Sequence, residues 1–186
     1  MRRGPERRGV GGTAAHRGLV ALALVGLGLG LAACGGSPSA ERASEILSFS
    51  KATHHVRLSL VAGATGADAG FNFNGYGDGA MTITVPLGWT VDVSCRNASP
   101  TFTHSCAIVE GGTPGVYGAP LAFPGASIPN ARAGLADGDV ASFHFVAARP
   151  GHFRVACLVT GHELDGMWDH FDVVADAPQP AVRTRS

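Results

Sequence analysis

An all-β domain, folded as an antiparallel sandwich or barrel of seven or eight short strands, is the fold class this sequence predicts. Three observations carry that expectation. Apolar residues recur at every second position in short runs, as half-buried strands require. Gly, Pro, Asn and Asp cluster between the runs, where turns need them. No long stretch shows the three-to-four-residue spacing of an amphipathic helix.

The runs follow one another along the chain: Val56, Leu58 and Leu60; Phe71 and Phe73; Met81, Ile83 and Val85; Trp89, Val91, Val93 and Cys95; Cys106 and Ile108; Phe143 and Phe145; Phe153, Val155 and Cys157. A last strand is expected from Trp168 to Val174. Turn signals separate them at Gly75-Tyr-Gly-Asp-Gly79, Pro86-Leu-Gly88, Asn97-Ala-Ser-Pro100, Asp137-Gly138 and Pro150-Gly151. The longest irregular stretch, from about Glu110 to Gly138, is rich in Gly, Pro and Ala. A loop of that length is expected to carry function or to shield a sheet edge.

The ends of the chain read differently. Arg2, Arg3, Arg7 and Arg8 precede an uncharged apolar run, Leu19 to Leu31, too short and Gly-rich for a comfortable membrane span, so residues 1–33 are expected to be a signal peptide. Leu31-Ala-Ala-Cys34 resembles the lipobox of bacterial lipoproteins, which implies cleavage before Cys34 and lipidation of its thiol. Residues 34–45 then form a tether, a weakly helical patch is expected around Glu41 to Phe49, and residues 46–175 form the folded domain. Residues 176–186, with few apolar side chains and two prolines, are expected to be a disordered tail. The expected location is the extracytoplasmic side of the membrane, held there by the lipid anchor.

Composition narrows the function. Charged residues are 15% of the chain, and the 14 basic and 14 acidic side chains cancel, so nothing suggests a nucleic-acid partner. Five basic residues and one acidic residue fall in the first 33, which leaves nine against thirteen, a net charge of −4, from Cys34 onward.

The chemistry sits in Cys157-Leu-Val-Thr-Gly-His162-Glu-Leu-Asp-Gly-Met167-Trp168, at the end of a strand. One loop offers a thiolate, an imidazole and a thioether at five-residue steps. Thiolate and thioether are soft ligands that favour Cu(I), imidazole serves both oxidation states, and a His₂Cys set with a weak axial Met is the blue-copper electron-transfer pattern. The second imidazole must come from elsewhere. His104 is the candidate, because it opens the alternating run His104-Ser-Cys-Ala-Ile-Val109 and shares the inward parity of Cys106 and Ile108. His54, His55, His144 and His152 have surface parity, and His170 has no ligand role that Met167 leaves open.

At these residues the chain resembles the cupredoxins, and among them the sulfocyanin and rusticyanin branch. The resemblance rests on Phe71-Asn-Phe-Asn-Gly75, Val85-Pro-Leu-Gly-Trp89, Thr103-His104-Ser105, Phe123-Pro-Gly-Ala126, Gly161-His162 and Gly166-Met167-Trp168. It implies a Greek-key β-sandwich with one type 1 copper per chain, held equatorially by His104, Cys157 and His162 and axially by Met167. One-electron transfer, with redox protein partners of cytochrome or terminal-oxidase type, is the implied activity. Leu158 and Thr160 stand where the branch usually has Gly and Pro, which bears on the reduction potential. Ser105, beside His104, is expected to help tune that potential.

His162 is the expected electron port. Gly161, Leu164, Phe102 and the Phe123-Pro124 loop would form an apolar patch around it, ringed by Glu163, Asp165 and Asp169. With Cys34 and Cys157 assigned, Cys95 and Cys106 remain as a pair that an oxidising compartment favours as a disulfide, provided the two sheets converge there. Two rival functions stay open: a chaperone or storage protein that delivers Cu(I), and an oxidase or nitrite reductase. The second would need further copper ligands, and no other His cluster is evident.

Overall fold

The computed structural model describes residues 43–64 and 66–185. The signal segment and Cys34 lie outside the described residues.

Among the described residues, nine strands build two sheets. One contains β1 (Leu47–Ser50), β2 (His55–Ala62), β4 (Thr90–Asn97) and β6 (Val140–Val146), in the order β1-β2-β4-β6. The other contains β3 (Met81–Pro86), β5 (Ala107–Glu110), β7 (Gly151–Ala156), β8 (Trp168–Val174) and β9 (Ala181–Thr184), in the order β5-β7-β8-β3-β9. The sandwich is as expected, but it is not purely antiparallel. β2 runs parallel to β4, and β3 runs parallel to β8. The chain leaves the first sheet after β2, lays down β3 in the second, and returns as β4 in its original direction.

The alternating residues do what their parity requires. Val56, Leu58, Leu60, Ile83, Val85, Val91, Val93, Phe145, Val155 and Phe171 are buried between the sheets, while Arg57, Ser59, His144 and His152 face outward. Each large side chain so removed from water contributes about 1.5–3 kcal/mol to stability. Phe123 stacks on Phe145 and meets Phe153 edge-on, closing the core at one end.

Two expectations about the ends need correction. The segment after Glu41 is only briefly helical, at residues 43–46, and then enters β1. The tail is not disordered as far as residue 184: β9 adds to the edge of β3 in register Met81↔Thr184 to Thr84↔Ala181. Backbone pairing with β3 supplies what the four polar-leaning residues of β9 lack in apolar content. Phe71 and Phe73 form no strand. Phe73 makes isolated bridges to Ala62 and Tyr76, and Asn72 folds back on the loop, its side-chain oxygen accepting from the Ala64 and Gly75 amides.

The long segment after β5 turns back along that strand. The Ile108 amide donates to the Ala126 carbonyl, the Ala122 amide to Ile108, and the Glu110 amide to Pro120. It thereby shields the free edge of β5, which would otherwise invite pairing with another chain.

Cys95 on β4 and Cys106 just before β5 lie with Cα atoms 6.0 Å apart and are joined, S–S 2.00 Å. The two sheets therefore converge at this end.

Candidate metal centre

The end of the sandwich that holds the disulfide also gathers His104, Cys157 and His162. Their ligand atoms all lie within 4.8 Å of one another, the only such grouping of His, Cys, Asp and Glu among the described residues. His104 Nδ1 is 3.2 Å from His162 Nδ1, and His162 Nδ1 is 3.4 Å from Cys157 Sγ. Donor atoms that close can share one ion at ordinary metal–nitrogen and metal–sulfur lengths of about 2.0–2.3 Å.

Different elements fix the three positions. Cys157 directly follows β7, so the sheet register that sets Ala156 opposite Ala107 and Trp168 also sets the thiol. His104 is locked by a two-way backbone bridge with Leu135. Glycines back it closely: a Cβ on Gly63, whose φ is +65°, would come within 3.3 Å of His104 Nε2, and one on Gly134 within 3.1 Å of the His104 backbone. Asn97, fully buried, donates to the carbonyls of Phe102 and Leu135 and so ties the turn before His104 to the segment behind it. These supporting residues carry no periodic signal that the sequence could have revealed.

His162 sits on the turn between Cys157 and Met167. Its ring is flanked edge-on by Phe71 at 4.9 Å and by Phe102 at 6.1 Å between centroids. Met167 is fully buried and closes the loop at the backbone: its amide donates to the His162 carbonyl, and its carbonyl accepts from the Cys157 amide.

The electrostatics suit a cation. Burial, reinforced by the neighbouring His162, holds the His104 imidazole down to about 4, and burial also lowers His162. Both rings are then neutral near pH 7, with a lone pair to give. Burial pushes the Cys157 thiol up, whereas Ser105 opposes this with its hydroxyl and amide, and the Val159 amide acts likewise. The Ser105 amide lies 3.3 Å and its Oγ 3.6 Å from Cys157 Sγ, and Oγ accepts from the Leu158 amide at 2.8 Å. A buried sulfur ringed by donors is disposed to be anionic once a cation neutralises it. His104 Nε2 is buried without a hydrogen-bond partner, so that ring is oriented by packing and by what its Nδ1 meets.

The acidic ring expected around His162 is not there. Glu163 is 1% exposed and paired with Arg154, and Asp169, on β8, is 0% exposed and accepts from the Met81 amide of the neighbouring β3; only Asp165 faces solvent. Phe123 and Pro124 do not join a patch through Phe123, whose ring is in the core. Phe102 and Leu164 do remain exposed, at 39% and 55%.

A two-sheet β-sandwich that buries two imidazoles and a thiol at one end, with a methionine closing the loop between them, defines a cupredoxin. Comparison with known proteins places it more narrowly. Residues 42–181 match the family model described as the sulfocyanin (SoxE) domain, and the chain belongs to that family. A sulfocyanin of Sulfolobus acidocaldarius is 26% identical over 128 residues, which cover 64% of this chain and 64% of that protein, so the match spans just under two thirds of the relative. Two crystal structures of rusticyanin variants superpose with TM-scores of 0.53: one is 22% identical, covering 73% of this chain and 91% of its own, and the other 21%, covering 73% and 90%. At that identity they show the shared fold. One type 1 copper per chain is the cofactor of this family, blue-copper electron transport is its activity, and the donor set here fits that ion.

Proposed function

We propose that this chain is an extracytoplasmic one-electron carrier in which His104, Cys157 and His162 are the equatorial ligands and Met167 the axial ligand of a single copper cycling between Cu(II) and Cu(I). The observation that carries the reading is the convergence of two imidazole Nδ1 atoms and one thiol, 3.2 and 3.4 Å apart, in a buried pocket. Copper supplies the redox couple when bound. The protein's part is to hold one geometry for both oxidation states, so that little has to move when the electron does.

Burial argues for a carrier over a Cu(I) chaperone. His104 and Met167 are fully buried and Cys157 is 1% exposed, whereas a protein that hands its metal on needs its sulfur ligands within a partner's reach. His162 is the ligand nearest solvent, and Phe102 and Leu164 beside it offer a small apolar contact for redox partners of cytochrome or terminal-oxidase type. The signal segment and lipidated Cys34 would tether the domain to the outer face of the membrane.

The test is the visible spectrum and voltammetry of the purified protein given one equivalent of Cu(II). A carrier shows intense blue thiolate-to-copper absorption and a reversible one-electron wave. A pale complex that reduces itself and passes its copper to a competing chelator would instead establish the chaperone. The lipid anchor is tested separately: mass spectrometry of the membrane-bound wild type should find a lipid on Cys34, and Cys34→Ser should release the protein from the membrane, whereas an unlipidated wild type or a variant still membrane-bound would contradict it.

A further inference from the structure

Arg154 and Glu163 are 3% and 1% exposed and form an ion pair inside the protein. Removing two charges from water is costly, and such a pair persists only with its remaining donors and acceptors satisfied. Here they are. Glu163 Oε1 accepts from Arg154 Nε at 2.9 Å and from another guanidinium nitrogen at 2.7 Å, while Oε2 accepts from the Gly115 amide at 3.0 Å. The third Arg154 nitrogen donates to the Gly112 carbonyl at 2.6 Å.

The partners come from three places. Arg154 belongs to β7, three residues before Cys157. Glu163 directly follows His162. Gly112 and Gly115 lie in the segment after β5, and that segment grips the same loop again through the Gly161 amide and the Val116 carbonyl at 2.9 Å. The backbone of His162 is thus held on both sides, at 161 and at 163, by groups that are not ligands. The bonds are directional and tie the His162 turn to the strand presenting Cys157, so they fix the separation of the two side chains.

We infer that the buried Arg154–Glu163 pair, with the 111–118 segment folded over it, is a positioning device that presets His162 against Cys157 before any metal arrives. This rests on the ligand assignment proposed above. Arg154 and Glu163 do not touch the ion; they act through the loop. Neither space-filling nor general stability requires this arrangement, because a buried pair is often replaced by apolar residues of similar volume without loss of stability.

That property supplies the test. Two variants of the full chain are made, Glu163→Gln and the double Arg154→Met/Glu163→Leu, the second chosen to keep the fold if the first is too weakened. Hydrogen exchange is followed in the metal-free protein, and the Cu(II) electron paramagnetic resonance spectrum after loading. In both variants the amides of residues 158–166 are expected to exchange about tenfold faster or more, while those of β4 and β6 in the double variant stay at the wild-type rate. The copper hyperfine splitting is expected to move in both. A double variant with wild-type loop exchange and a wild-type spectrum would overturn the inference, since the pair would then only fill space. Acceleration spread evenly over loop and sheets in both variants would overturn it too. Exchange in the metal-free protein needs no copper. A loosened loop in a protein that never turns blue therefore removes the proposed function alone, and an unaffected loop in a blue protein removes this inference alone.

Discussion

Replacing Ser105 by Ala removes one hydroxyl from beside Cys157 and leaves the rest of the site standing. The hydroxyl is 3.6 Å from the sulfur, and the Ser105 amide, 3.3 Å away, is untouched by the change. A donor at the sulfur draws charge from it and so favours Cu(I), which needs less donation from the thiolate than Cu(II) does. Loss of the donor should therefore lower the reduction potential. A single hydrogen bond is worth about 0.5–1.5 kcal/mol net. At 59 mV and about 1.4 kcal/mol per factor of ten for one electron, that corresponds to a fall of roughly 20–60 mV. The same oxygen accepts from the buried Leu158 amide at 2.8 Å, so the variant should also lose about 1–3 kcal/mol of stability by leaving that donor unmet. Protein-film voltammetry reads the first effect and denaturant unfolding of the metal-free form the second. A potential that stays put or rises would refute the placement of the hydroxyl as a donor to the sulfur.

Two further outcomes follow from buried groups that are not ligands. Burial, with Asp68 and Asp78 nearby, pushes the Asp169 carboxyl up from 3.8 to about 8, although its Oδ1 accepts from the Met81 amide at 2.8 Å. With the folded value raised, stability is fully present below the unfolded value of 3.8 and is lost as pH climbs through about 8. Asp169→Asn should therefore exceed the wild type by on the order of 5 kcal/mol at pH 8, about four pH units at about 1.4 kcal/mol each, and lose that advantage near pH 4, as chemical denaturation across pH would show. The Cys95–Cys106 bond closes a loop of sequence separation 11, so its removal in Cys95→Ala/Cys106→Ala should cost about 3 kcal/mol, read from urea midpoints; unchanged midpoints would count against it.

Much of this molecule could be read from residue order because the signals were local. Alternation along β2, β3, β4, β6 and β7 names the core side chains directly, since strand parity depends only on neighbours. Cys157, His162 and Met167 fall within one loop, and His104 shares the inward parity of Cys106 and Ile108. What escaped depends on contacts distant in sequence. Glu163 and Asp169 looked like solvated loop charges. Only the fold of the 111–118 segment over Arg154, and the inward face of β8 beside β3 at Asp169, put them inside. β9 is legible only through β3, whose edge gives four residues of modest apolarity a place to pair. The parallel pairs β2–β4 and β3–β8 escaped for a related reason: periodicity reveals strands but not the direction in which a chain re-enters a sheet.

The most direct trial of the copper assignment is a metal analysis with optical titration of the wild type beside Cys157→Ser, whose oxygen replaces the sulfur 3.4 Å from His162 Nδ1. One copper per wild-type chain, deep blue and reversibly reduced, with the colour and the wave both gone in the serine variant, is what the account predicts. Blue colour that survives the substitution, or a wild type that binds copper without it, would contradict the account.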